Sequence, residues 1–144
     1  MNYLAAFEIS AAGMSFERLR VNVAAANIAN AHTTRTSSGG PYRPLLALAV
    51  SPLVPSAFES QMTLAAHANA LRKPMVVESA LAPRMVHEPG HPDADDKGFV
   101  AYPNINPVTA MVGLMSATRA FEANLAALNA TRAMAQKALE IGGR

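Results

Sequence analysis

From Asn104 to Arg144 the chain reads as one long amphipathic helix with a strict seam. Asn106 is suited to cap its N-terminus and Pro107 fits the first turn, while Gly142-Gly143 supplies a stop. Between these signals Met111, Leu114, Thr118, Phe121, Leu125, Leu128, Arg132, Ala135 and Leu139 recur at alternating spacings of three and four. That period of 3.5 residues is the mark of a coiled-coil seam, broken here by Thr118 and Arg132. A seam of this length requires a partner helix.

Residues 2–30 offer one. A first stripe runs through Leu4, Phe7, Ala11, Met14, Arg18, Val21, Ala25 and Ile28. A second, adjacent stripe runs through Ala5, Ile9, Ala12, Phe16, Leu19, Val23 and Ala26. One apolar stripe satisfies one neighbour, and two imply burial on most sides. The C-terminal seam covers only one of them. Length points the same way: at about 1.5 Å per residue the two helices span roughly 43 and 52 Å. A compact globule of this chain length has a radius of gyration of only about 14–15 Å. Either the helices kink, with Gly13 the available site, or neighbouring chains shelter them.

The chain has 144 residues, one domain's worth, of which 51% are apolar, much of it Ala. Ala favours close helix–helix contact over a deep core. The net charge of +2 resides in the C-terminal segment, where Arg119, Arg132, Lys137 and Arg144 outnumber Glu122 and Glu140. No basic patch suggests nucleic acid, and with no Trp and 6% aromatics no base-stacking platform is expected. The absence of Cys excludes disulfides and thiolate metal sites. The start, Met1-Asn2-Tyr3-Leu4, lacks the basic region of a secretory signal, and Glu8 interrupts the apolar run. No stretch approaches the roughly 20 apolar residues of a membrane span.

From His32 to Asn106 the material changes, and nine of the ten prolines fall there. Thr33–Pro41 is turn-rich. Leu45–Val50 reads as a buried strand, Thr63–Leu71 as a short helix, and Met75–Glu78 and Arg84–His87 as short strands bounded by Pro74, Pro83 and Pro89. His87-Glu88-Pro89-Gly90-His91 matches the letters of the zinc-protease pattern H-E-x-x-H. That motif needs a helix to place both His on one face, and Pro89-Gly90, followed by Pro92, makes a turn instead. Asp93, Asp95 and Asp96 cluster nearby and read as solvated carboxylates. His32 and His67 have no partners in sequence, and there is no nucleophile motif or phosphate-binding glycine loop. Asn30 suits a helix C-cap, and Asn27 and Asn124 suit polar contact within a helix packing surface. Met14, Met111, Met115 and Met134 serve a core or an adaptable interface equally well.

Longer motifs then carry a family resemblance. Ala26-Asn27-Ile28-Ala29-Asn30 followed by Thr33-Thr34 resembles the N-terminal signature shared by axial proteins of the bacterial flagellum, the rod and hook family. Gly39-Gly40-Pro41-Tyr42-Arg43 narrows this to the proximal rod. Glu88–Asp95, Gly98–Val108, Ser116–Asn124 and Lys137–Ile141 are similar to the same family, in the same order. The similarity covers about residues 1–43 and 83–144. Leu45–Ala82 resembles the family least. Thr109-Ala110 stand where acidic residues are common, forgoing about 0.3–1 kcal/mol per charge at the helix N-terminus. Phe121 stands in place of a usual Tyr.

The resemblance implies a structural protein of the flagellar basal body, exported through the flagellar type III apparatus without a cleaved signal. It further implies helical assembly in the periplasm with copies of itself and other rod proteins, into a shaft that transmits torque. The expected fold is mainly α: a helix over residues 1–31, a loop-rich middle with short strands over 32–106, and a helix over 107–144, the two helices forming a coiled-coil pair. The expected interface residues are Leu4, Phe7, Met14, Phe16, Leu19, Val21, Val23, Asn27, Ile28 and Asn30 in the first helix. In the second they are Met111, Leu114, Phe121, Asn124, Leu125, Leu128 and Leu139. Neither cofactor, metal nor catalytic residue is expected. Two other readings compete on the residues alone: a self-contained helical homodimer built on the seam, and a metal hydrolase using His87, Glu88 and His91.

Overall fold

A computed structural model describes residues 3–50 and 73–142. The element order is α1 (Tyr3–Ala29), β1 (Leu45–Val50), β2 (Lys73–Glu78), β3 (Arg84–His87), β4 (Phe99–Tyr102) and α2 (Pro107–Gly142). The chain is thus mainly α with a small β-containing middle, as expected. The expected helix over Thr63–Leu71, like His67, lies outside the described residues. β4 is an addition to the sequence reading: Phe99-Val100-Ala101-Tyr102 follows the turn at Gly98 and becomes a strand only by pairing with β3.

At 27 and 36 residues, α1 and α2 are about 40 and 54 Å long. The start of α2 is fixed by Asn106, whose Oδ1 accepts from the Val108 and Thr109 N–H groups at 3.0 and 3.3 Å, and Pro107 occupies the first turn. The end of α1 is closed by Asn30. Its Nδ2 donates to the Ala26 carbonyl at 2.9 Å and its Oδ1 accepts from the Thr33 hydroxyl, so a C-terminal carbonyl of the helix is satisfied.

Two compact units share these elements. Unit 1 comprises Met1–Leu19, Leu48–Met75 and Ser116–Arg144, and unit 2 comprises Arg20–Ala47 and Val76–Met115. Each unit therefore contains part of both helices. The sheets are two-stranded ribbons, β1 with β2 and β3 with β4. Ser79 N–H donates to the Pro44 carbonyl at 2.7 Å, so the end of β2 lies beside the start of β1 and the pair is antiparallel. β3 and β4 are antiparallel with Arg84 opposite Tyr102 and Val86 opposite Val100.

The β3–β4 connection is held by Asp95, whose Oδ1 accepts from the Lys97 and Phe99 N–H groups at 2.9 and 2.8 Å. Gly98 follows at φ +77°, and a Cβ there would lie 3.1 Å from both His87 Nε2 and Pro89 Cβ, so the turn needs glycine. Asp93 ties this loop to the segment after α1. It accepts the Thr34 hydroxyl at 2.8 Å and faces the Arg35 guanidinium at 3.4 Å.

Val100 is the largest fully buried side chain among the described residues, at 0% exposure. Truncating it removes two methyl groups from the centre of unit 2. Val100→Ala is expected to lower stability by about 1.5–3 kcal/mol in urea unfolding. Leu81→Ala, at a side chain 64% exposed, is expected to change it by less than about 0.5 kcal/mol.

Candidate assembly interface

In unit 2, Asn27 joins α1 to β1. Its Nδ2 donates to the Leu45 carbonyl at 2.9 Å, and its Oδ1 accepts the Leu45 N–H at 2.8 Å and the Tyr42 hydroxyl at 3.1 Å. One side-chain amide thus copies the pairing of a β-ladder, presenting both a donor and an acceptor to a single residue's backbone. Sequence reasoning placed Asn27 in a helix packing surface and missed this partner, 18 residues away. The usable signal was an Asn on a helix face with Tyr42 just ahead of a strand. Burial, and secondarily the Glu78 carboxylate, push the Tyr42 hydroxyl above its ordinary value of 10. Beside the clamp lies a groove of about 230 Å³ lined by Val23 and Ala24 of α1, Leu45 to Ala47 of β1, and Ala110 and Gly113 of α2.

In unit 1, α1 and α2 meet where Gly13 faces Asn124. A Cβ on Gly13 would lie 2.8 Å from Asn124 Nδ2 and 3.1 Å from Asn124 Cγ, inside van der Waals contact. Gly13 serves this close approach of two helices. The buried side chains of unit 1, among the described residues, are Ser10, Ala117 and Thr131, all small. Thr131 satisfies its hydroxyl on the Ala127 carbonyl at 2.9 Å.

Burial along α2 has a heptad spacing, but in a register that differs from the expected seam. Among the covered positions, Ala110, Leu114, Ala117, Phe121, Asn124, Leu128, Thr131 and Ala135 keep this spacing, with Pro107, Gly113 and Ala120 beside them. Leu114, Phe121, Leu128 and Ala135 are shared with the expectation. Met111, Thr118, Leu125 and Arg132 are displaced by one residue and stay exposed. Where Gly13 meets Asn124 size sets the approach, because any larger side chain at residue 13 would collide with the amide. Met111, Leu125 and Leu139 are instead 52%, 42% and 77% exposed. Val108, Val112 and Met115 extend this open apolar surface near the start of α2.

On α1 the exposed strip is narrow. Glu8, Ala11, Ser15, Arg18, Asn22, Ala25 and Ala29 recur at three and four, with Ile9 beside them, so Ala11, Arg18 and Ala25 of the first expected stripe and Ile9 of the second face outward. Phe7, Met14, Phe16, Leu19, Val21 and Ile28 are half-buried, Val23 is buried, and Leu4 falls in the first turn. Asn27 and Asn30 spend their amides within unit 2.

The H-E-x-x-H letters occupy the turn after β3. His87 packs edge-on against Phe99, and His91 Nδ1 accepts the Asp93 N–H at 3.0 Å. Glu88 accepts the Tyr102 hydroxyl at 2.9 Å. That bond is the main reason the Tyr102 hydroxyl sits above its ordinary value. Among the described residues no three His, Asp or Glu side chains converge as metal ligands, and no helix is long and apolar enough to cross a membrane.

Comparison with known proteins adds a family context. A family described as "Flagella basal body rod protein" matches residues 7–35. Another, "Flagellar basal body rod FlgEFG protein C-terminal", matches residues 96–141. The flagellar basal-body rod protein FlgC of Bacillus subtilis is 37% identical over 93% of this chain and 94% of its own. Its namesake in Escherichia coli O6:H1 is 34% identical over 99% of both chains, and that of Borreliella burgdorferi 33% over 98% of both.

Two outcomes follow from these contacts. Tyr42→Phe is expected to cost about 0.5–1.5 kcal/mol at neutral pH. A hydroxyl whose folded value is raised adds stability below pH 10 that disappears as pH climbs through the folded value. Alkaline unfolding of the wild type should therefore steepen above pH 10, with the Phe variant less steep and Tyr102 supplying the remainder. Separately, Gly13→Leu should abolish swimming in a strain relying on this chain, and a second change, Asn124→Ala, should partly restore it. Normal swimming of Gly13→Leu alone would show that the close approach is not used.

Proposed function

Because this chain belongs to the FlgC family of flagellar basal-body rod proteins, we propose that its two long helices assemble against neighbouring subunits in the proximal rod. The protein is a structural component of the basal-body rod. Its export through the flagellar type III apparatus without a cleaved signal, its helical assembly in the periplasm with copies of itself and other rod proteins, and its part in transmitting torque belong to the same proposal. So does coiled-coil pairing of α1 with α2.

The observation that carries this reading is the division of labour on α2. Leu114, Phe121 and Leu128 are covered within the chain together with Ala117, Asn124 and Thr131, while Met111, Met115, Leu125 and Leu139 are open. A monomer gains nothing from leaving these Leu and Met side chains open to water on one face of the helix. Subunits placed side by side cover such a surface. The half-buried residues of α1, Phe7, Met14, Phe16, Leu19, Val21 and Ile28, with Leu4, complete the proposed contacts, and Leu114, Phe121 and Leu128 form the inner face. Val23 is assigned to the subunit's own packing as well, because it is buried in unit 2. In dilute solution, lacking neighbours, the outer parts of both helices fray. The homodimer alternative lacks comparable support, since the relatives found across nearly the whole chain are rod proteins.

Leu125→Asp separates assembly from folding. The side chain is partly open in the subunit, so the soluble protein should unfold at the same urea concentration as wild type. Within an assembled rod it becomes an unpaired buried charge costing several kcal/mol. Swimming on soft agar should be lost while the protein is still made and exported. Normal motility would refute the interface assignment.

A further inference from the structure

Glu8 and Arg18 stand ten residues apart on the outward strip of α1, and Glu122 and Arg132 stand ten residues apart on the open side of α2. All four belong to unit 1, all are exposed, and none forms an ion pair among the described contacts. In both helices the acid comes first. An α2 laid parallel to α1 therefore sets like charges together, and one laid antiparallel sets Glu8 against Arg132 and Arg18 against Glu122 at a single offset. The strip of α1 and the exposed line of α2 share the same three-and-four spacing, so that offset holds layer by layer. In unit 1 it sets Ser15 against Leu125. In unit 2 it sets Ala25 against Met115 and Ala29 against Met111. Leu125, Met115 and Met111 are 42%, 55% and 52% exposed, and each meets a small residue. At about 100° per residue the strip lies roughly opposite Gly13, which faces this chain's own α2. The helix that covers the strip therefore comes from another chain.

We propose that the outward strip of α1 seats the open face of α2 from a second copy of this chain, antiparallel, in the register that Glu8–Arg132 and Arg18–Glu122 select. This deepens the assembly reading above and rests on it. Charges in a helix seam cost stability and in return fix its register. A slip of seven residues would seat Glu8 on Leu125 and Arg18 on Met115, leaving both charges unpaired. Size works in the same direction, since small side chains opposite Leu and Met let the two helices close without voids. The two surfaces are different patches of one subunit, so the contact is heterologous. It does not close at a dimer: each copy offers its strip to one neighbour and its α2 face to another, which generates a ring or a helical array.

The chain has no Cys, so a pair of introduced cysteines reports a single contact. The test places Ser15→Cys and Leu125→Cys in one full-length chain and treats isolated basal bodies with a thiol crosslinker about 8–10 Å long, the spacing of packed helix axes. A ladder of covalent multimers of this chain is expected. Ser15→Cys with Met111→Cys, about 21 Å out of register, should give none. Crosslinked monomer alone, or no product, would overturn the contact, and an equal ladder from the second pair would overturn the register. If the first variant does not swim, the charges decide. Glu8→Arg alone and Arg132→Glu alone should each lower the number of assembled rods about tenfold or more, because like charges then face each other. The two changes together should recover most of that loss, and no recovery would overturn the pairing. Leu125→Asp keeps the two readings apart. If it abolishes swimming while no ladder forms, only this contact fails; if it leaves swimming normal, the assembly reading fails with it.

Discussion

The amide of Asn27 is the contact on which the rest of unit 2 depends. A helix and a strand have no intrinsic way to share backbone hydrogen bonds, because each consumes its own. Asn27 supplies the missing donor and acceptor from a side chain and places them against Leu45, the first residue of β1. That fixes the angle at which the chain leaves α1, and Asn30 and Thr33 close the helix just beyond it. The turn through Gly39 and Gly40 then brings Tyr42 back onto the same amide, with Tyr42 N–H donating to the Thr33 carbonyl at 3.0 Å. The motif Ala26–Asn30 and the motif Gly39–Arg43, which read as separate signatures, are two halves of one joint.

A similar coupling accounts for the second pair of motifs. Asp93 and Asp95 look interchangeable in sequence, as two carboxylates in a solvated cluster. They do different work. Asp95 folds the β3–β4 connection onto itself through the Lys97 and Phe99 N–H groups, and Asp93 reaches across to Thr34 and Arg35. The histidines of the H-E-x-x-H letters are absorbed in the same turn, His91 by the Asp93 N–H and His87 by Phe99.

Much of the fold was legible because helix ends are local events. Asn106-Pro107 declared the start of α2, and the length of the periodic run declared its extent. β1, β2 and β3 were marked out by prolines and apolar runs, β2 beginning two residues earlier than expected. What escaped was non-local. Phe99–Tyr102 becomes a strand only by pairing with Arg84–His87, and Asn27 gains its partner only when residue 45 returns to the helix. The face of α2 that is covered within the chain escaped for a different reason. Hydropathy ranks Met111 and Leu125 above Ala110 and Asn124, yet within the chain Ala110 and Asn124 are the more covered. A pattern scored by hydrophobicity therefore found the open face at alternate positions and the covered face at the rest.

That displacement by one residue is itself informative about assembly. A helix that packs once needs one seam, and apolar side chains off that seam stay in water. In α2 the inner face alternates Leu and Phe with Ala, Asn and Thr, and the neighbouring face carries Met111, Leu125 and Leu139. The inner face sets distance, through Gly13 against Asn124. The outer face leaves Met111, Leu125 and Leu139 open, apolar area whose removal from water would favour association.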